Sequence, residues 1–185
     1  MKNIILTSLL FSLITFSTNA QVRWDFSVNY LFESEGTAFF DPPNRYSGLG
    51  SAVLLRVSPL FEIGEHFIGG PYVSTIPSVE IFRFDVSPTL FELGFQIGPR
   101  FEIAGAHELR AMAQIGYRQW ITSDEFISSN GLATNLNITF EFNKENALSP
   151  KVEIGFLTQP TGGNDEVFIS FSPYWYVGGG IVLKK

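Results

Sequence analysis

Few residues in this chain have the types and spacing that catalysis needs. Acyl transfer or hydrolysis would use a serine, a histidine base and an acid held together. The chain has two histidines, His66 and His107. Both stand in short turn-like stretches, Gly64-Glu65-His66 and Ala104 to His107, and His107 beside Glu108 reads as a solvated turn residue rather than a base. Asp41, Asp124-Glu125 and Asn164-Asp165 place carboxylates in polar stretches without the spacing of a calcium loop. The residues therefore point to no enzyme, no cofactor and no metal. The sequon Asn137-Ile138-Thr139 lies inside an alternating stretch and carries no weight.

What does recur is charge at every second position. Arg23, Asp25, Arg56, Glu62, Glu92, Arg100, Glu102, Arg110, Arg118 and Glu141, with Glu153, share their faces with Gly94, Gly98, Gly116 and Gly155. The chemistry open to such a set is ion pairing. Opposite charges in comparable numbers can neutralise one another inside a narrow space, which buried charge requires.

The element that positions them is clearest in Phe91 to Ile103, FELGFQIGPRFEI. Phe91, Leu93, Phe95, Ile97, Pro99, Phe101 and Ile103 fall on one side, and Glu92, Gly94, Gln96, Gly98, Arg100 and Glu102 on the other. A helix would scatter these apolar groups, whereas a strand collects them on one face. At a tilt near 45°, the stretch rises roughly 30 Å, the thickness of a bilayer's hydrocarbon core.

Residues 1–20 form a separate object: Lys2, an apolar run from Ile4 to Phe16, then Thr18-Asn19-Ala20. That is the pattern of a cleaved signal peptide, with Gln21 as the mature start. Loss of Lys2 takes the formal charge from −6 to −7, and no basic patch suits a nucleic acid. Absence of cysteine excludes a disulfide framework and a lipidated cysteine at the cleavage site.

Residues 21–185 read as one domain of eight strands without a helix. The first runs from Gln21 to Phe32, and residues 34–46 form a loop around Gly36 and Pro42-Pro43. The second covers about 47–63. The third, about 67–84, is interrupted by Gly69-Gly70, Pro71 and Pro77 and reads as bulged or kinked. The remaining strands are Phe91 to Ile103, Leu109 to Ile121, Leu132 to Phe142, about 151–158, and Glu166 to Leu183. Pro59-Leu60-Phe61-Glu62-Ile63 echoes Pro99-Arg100-Phe101-Glu102-Ile103 one hairpin repeat later. Connections after strands 2, 4 and 6 are short, whereas those after strands 1, 5 and 7 are longer, the asymmetry of periplasmic turns and outer loops. Trp24, Tyr117, Trp120 and Trp175 fall near strand ends, where amphipathic rings suit membrane interfaces.

With this combination the chain resembles the small eight-stranded outer-membrane β-barrel (porin-like) proteins of Gram-negative bacteria. The resemblance covers 21–185 and rests on the signal peptide, alternation and loop asymmetry, not on a motif. It implies an all-β, antiparallel up-and-down transmembrane barrel in the cell outer membrane. It also implies contact with outer-membrane lipid and lipopolysaccharide, and with the barrel-insertion machinery during assembly. One departure stands out: the chain ends Ile181-Val182-Leu183-Lys184-Lys185, without the terminal aromatic that such proteins usually carry. Some members of this class modify lipid A, but the two histidines fall at the periplasmic end, the wrong one for that chemistry.

The expected role is structural or surface-interacting, with slight pore activity at most, because eight strands leave an interior just wide enough for side chains. Phe39 and Phe40 in the first loop are the candidates for contact with a surface partner. The alternative is a soluble, exported lipocalin-like barrel with the aromatic faces inside around an apolar ligand.

Overall fold

The computed structural model describes residues 22–32, 36–39, 52–77, 89–121, 129–158, 162–163, 168–171 and 174–184. The expected signal peptide and Phe40 lie outside them. Eleven strands occur among the described residues: β1 (Arg23–Leu31), β2 (Gly36–Phe39), β3 (Ala52–Ile63), β4 (Phe67–Ile76), β5 (Thr89–Ile103), β6 (His107–Ile121), β7 (Ser129–Glu141), β8 (Leu148–Leu157), β9 (Gly162–Gly163), β10 (Phe168–Phe171) and β11 (Tyr174–Lys184). Eight of them close an antiparallel barrel in the order β1-β11-β8-β7-β6-β5-β4-β3, with β3 returning to β1. The other three form a small sheet, β2-β10-β9, at the end where the longer connections lie.

That small sheet corrects two expectations. Gly36–Phe39 is a strand rather than loop, paired with β10 so that Phe39 faces Phe168. The last expected strand, Glu166 to Leu183, is divided between β10 and β11. Pro173 stands between the two in the sequence and cannot donate to a ladder.

Alternation sets the polarity of the wall. On β1, Arg23, Asp25, Ser27, Asn29 and Leu31 are buried while Trp24, Val28 and Tyr30 are exposed. Phe91, Leu93, Phe95, Ile97 and Phe101 of β5 are likewise exposed, and Glu92 and Gln96 buried. The barrel is apolar outside and polar inside. This is the inverse of the lipocalin-like arrangement, which would put the aromatic faces within. Such a wall belongs in a bilayer.

Gly64 (φ 70°) in one short turn, and Ala104 (φ 51°) with Gly105 (φ 73°) in another, take the left-handed backbone that reverses the chain. The echoed pentapeptides end β3 and β5 immediately before these turns. Residues 78–84 of the third expected strand lie outside the described residues; its described part, β4, is not bulged. Its pairing with β3 holds one register from Leu55↔Thr75 to Ile63↔Phe67, interrupted only between Val57↔Val73 and Phe61↔Gly69. There Pro59 stands opposite Pro71, and neither has an N–H to give. An interior hydroxyl repairs half of the loss: Ser58 Oγ donates to Pro71 O at 2.7 Å and accepts from Gln96 Nε2 at 2.6 Å.

The same seam fixes Gly70. A Cβ there would lie 2.0 Å from the Pro59 carbonyl oxygen, a backbone atom that cannot swing aside. Gly70→Ala is expected to lower stability by about 1–3 kcal/mol, read as a shifted urea midpoint of the protein folded in detergent micelles. An unchanged midpoint would mean that the seam is slack.

Candidate functional site

The interior of the barrel is the only place among the described residues where many charged groups converge. It is built in three levels between the short-turn end and the loop end. Each level draws side chains from strands far apart in the chain, because inward positions on neighbouring strands fall opposite one another.

The level nearest the short turns centres on Arg23. Its guanidinium reaches Glu62 Oε1 at 2.6 Å and Glu108 Oε1 at 3.0 Å. Arg100 shares Glu62 at 2.5 Å, and Lys184 holds Glu141 Oε1 at 2.5 Å. Above it, Asp25 lies between Arg110 at 3.1 Å and Lys151 at 2.5 Å. Lys151 passes on to Glu153 at 2.8 Å, and Glu153 also takes Arg56 and, at 2.6 Å, Asn29 Nδ2. The third level is built on Glu92. Arg118 grips its Oε2 through Nε at 2.7 Å and Nη2 at 2.5 Å. Asn135 Nδ2 donates to Oε1 at 2.9 Å, and the Tyr72 hydroxyl donates to the same oxygen.

Tyr72 fits because its row is hollowed out. Register sets it opposite Gly94, then Gly116, then Ala133. A Cβ on Gly94 would lie 2.7 Å from Tyr72 Cε1, and one on Gly116 the same distance from Tyr72 Oη. Tyr176 repeats the device over Gly155, where a Cβ would lie 2.5 Å from its hydroxyl.

Toward the loops the lining changes character. Leu31, Leu54, Ile76, Leu90, Leu157 and Tyr174 form a buried apolar layer across the lumen, with Tyr176 beneath. At the middle level the remaining space, beside Asp25, Arg56 and Lys151, is about 10 Å³, room for one water at most. At the turn end the interior opens wider, into a vestibule of about 450 Å³ lined by Arg23, Glu62, Arg100, Lys144 and Lys184. Closure therefore has two parts, ionic below and apolar above.

Ten of the eleven charges expected inside are there; Glu102 is not. It stands on the rim, 65% exposed, against Lys144. It lies one residue from the end of β5 at the short turn, where its carboxylate pairs with Lys144 of the neighbouring turn, whereas Glu108 and Glu141, opposite one another, both turn inward. Glu108, Lys151 and Lys184 belong to the interior and were missed by the sequence reading. Their signal was phase alone: each lies two residues from an inward position, Arg110, Glu153 and Val182. His66 is exposed in its turn, and His107 Nδ1 accepts the Asn143 N–H at 3.3 Å while its ring stacks on Phe140. Neither approaches a serine–acid pair among the described contacts.

No family model and no curated protein matches the chain in sequence. Its shape does match solved structures. Neisserial surface protein A superposes with a TM-score of 0.62 at 8% identity, over 88% of this chain and 97% of that one. The outer membrane protein OprG of Pseudomonas aeruginosa gives 0.59 at 8% identity, over 90% and 96%. The N-terminal β-barrel domain of OprF from the same organism gives 0.54 at 13%, over 90% and 98%. The fold is that of the small eight-stranded outer-membrane barrels.

Breaking a buried pair leaves a lone charge in a low-dielectric interior. Arg118→Ala is expected to cost about 3–5 kcal/mol, because Glu92 keeps only Asn135 and Tyr72. Adding Glu92→Leu should recover most of that loss. Equilibrium unfolding of both variants in micelles checks this, and an additive double mutant would show that the pair is not coupled.

Proposed function

We propose that this outer-membrane barrel is a non-catalytic, non-conducting protein whose role is structural or surface-interacting. The observation that carries the reading is the filled lumen. Charged side chains occupy it at three levels and an apolar layer crosses it toward the loops. An ion entering from the vestibule would have to displace buried pairs and then pass leucine side chains without water, which hydrophobic constrictions resist. The interior serves as a plug that holds eight strands in register.

A surface role draws support from the distribution of charge. Segments 32–51, 77–88, 122–128 and 158–173, which connect strands at the loop end, hold Glu33, Glu35, Asp41, Glu80, Asp85, Asp124, Glu125, Asp165 and Glu166 against Arg45 and Arg83. That excess equals the whole net charge of residues 21–185, so the barrel and its short turns are neutral. Acidic connections on a neutral barrel favour encounter with partners of positive charge. Phe39, paired in the small sheet, and Phe40 stay the candidates for apolar contact. Non-catalysis is supported by the positions of His66 and His107 at the short-turn end.

The test is a boiled-versus-unboiled gel of protein from a washed outer-membrane fraction, followed by planar-bilayer recording. The expected results are a heat-dependent shift in mobility and a flat current. Steady single-channel steps would overturn the plug; release into buffer without a shift would overturn the membrane barrel.

A further inference from the structure

Among the described residues the outward wall carries an indentation. A groove of about 410 Å³ crosses β5 to β8, where almost every lining atom is carbon. Its floor is Ala113, which register places between Ile97 on β5 and Leu136 on β7, with Phe156 next on β8. The adjoining outward row runs Phe95, Ile115, Thr134. Large side chains thus surround two small ones, and Phe95, Ile97, Ile115 and Leu136 are all exposed.

One end of the groove is polar. Thr134 Oγ1 and Thr158 Oγ1 lie 3.2 Å apart on the outer face. Thr158 Oγ1 accepts the Thr134 N–H at 2.9 Å and donates its own proton to Thr134 O at 2.5 Å. With that proton committed, the 3.2 Å contact is donated by the Thr134 hydroxyl, a long bond that it can exchange for one to a carbonyl oxygen outside the protein. Two residues toward the loops, Tyr117 donates its hydroxyl to Asn130 Oδ1 at 3.0 Å, the amphipathic arrangement of a membrane interface. Thr134 therefore sits roughly 5 Å below that interface at a 45° strand tilt, and the groove runs deeper from there.

The geometry points to a binding site for one ester-linked acyl chain of a membrane lipid in the loop-side leaflet. The carbonyl accepts from Thr134 and the hydrocarbon lies over Ala113 between Ile97, Leu136 and Phe156. Depth selects the occupant. A carbonyl followed by a long alkyl chain matches a polar spot just under the interface followed by an apolar trough. The site rests on the reading of the chain as a membrane barrel.

The experiment reconstitutes the mature protein in phosphatidylcholine vesicles containing a phosphatidylcholine with a photoactivatable diazirine midway along one acyl chain. Flotation of the vesicles first confirms insertion. After irradiation, labelled peptides are mapped by mass spectrometry. The expected labels concentrate on β5–β8 around Ile97, Ala113 and Leu136. Ala113→Phe, which fills the trough from the lipid side, should reduce them at least threefold; Val28→Phe, on the outward face of β1, should not. Thr134→Val should shift the label along the strands. Even labelling around all eight strands, or labelling unchanged by Ala113→Phe, overturns the site. A detergent-stable dimer that Ala113→Phe dissociates overturns it in favour of a second copy. Failure to float with the vesicles sinks the membrane reading itself.

Discussion

Everything in this barrel depends on burying ionised side chains inside a wall whose outer surface is hydrocarbon-compatible. With lipid as the outer solvent, the polar groups cannot turn outward, and eight strands leave too little room for water to solvate them inside. Each charge must therefore find its counter-charge inside the lumen, on another strand or two residues along its own. Arg23, Arg110 and Lys151 do so by bridging two or more carboxylates each. Sharing also makes the network collective, because no member can leave without stranding several others.

The backbone answers to the same constraint. A closed barrel has no edge on which a proline can go unpaired, yet Pro59 and Pro71 meet in mid-wall. Interior polar side chains cover part of the deficit, with Gln96 holding Ser58 and Ser58 capping Pro71 O. Glycines serve the lumen as well as the ladder. Without Gly94 and Gly116, Tyr72 could not lie across the row and reach Glu92. Side-chain interior and main-chain wall are thus one hydrogen-bonded system rather than a filling within a shell.

Much of this was legible because polarity inversion repeats at every second residue. Phe91 to Ile103 declares both of its faces, and the structure extends that strand only to Thr89. Arg56, Glu92 and Arg118 could be assigned inward from phase without knowing a single partner. What phase could not supply is register. The row from Tyr72 to Ala133 depends on which residues stand opposite, and that is set across strands. Gly36–Phe39 was illegible for a related reason: four residues are too few to show a period, and the partner strand lies far along the chain. Leu31, Leu54 and Leu90 stand at inward positions on three different strands. Brought to one height they are a layer.

Lys184 is the last described residue, and its Cα partner is Arg23, the first residue of the first strand. Between them they hold Glu62 on the adjoining β3, Glu108 on β6 and Glu141 on β7. The seam between β1 and β11 joins the barrel strands farthest apart in the sequence, the pairing with the largest loop-closure cost. Its two cations land on carboxylates that Arg100 and Arg110 also hold. Joining the first barrel strand to the last therefore also clamps β3, β6 and β7 through shared charge.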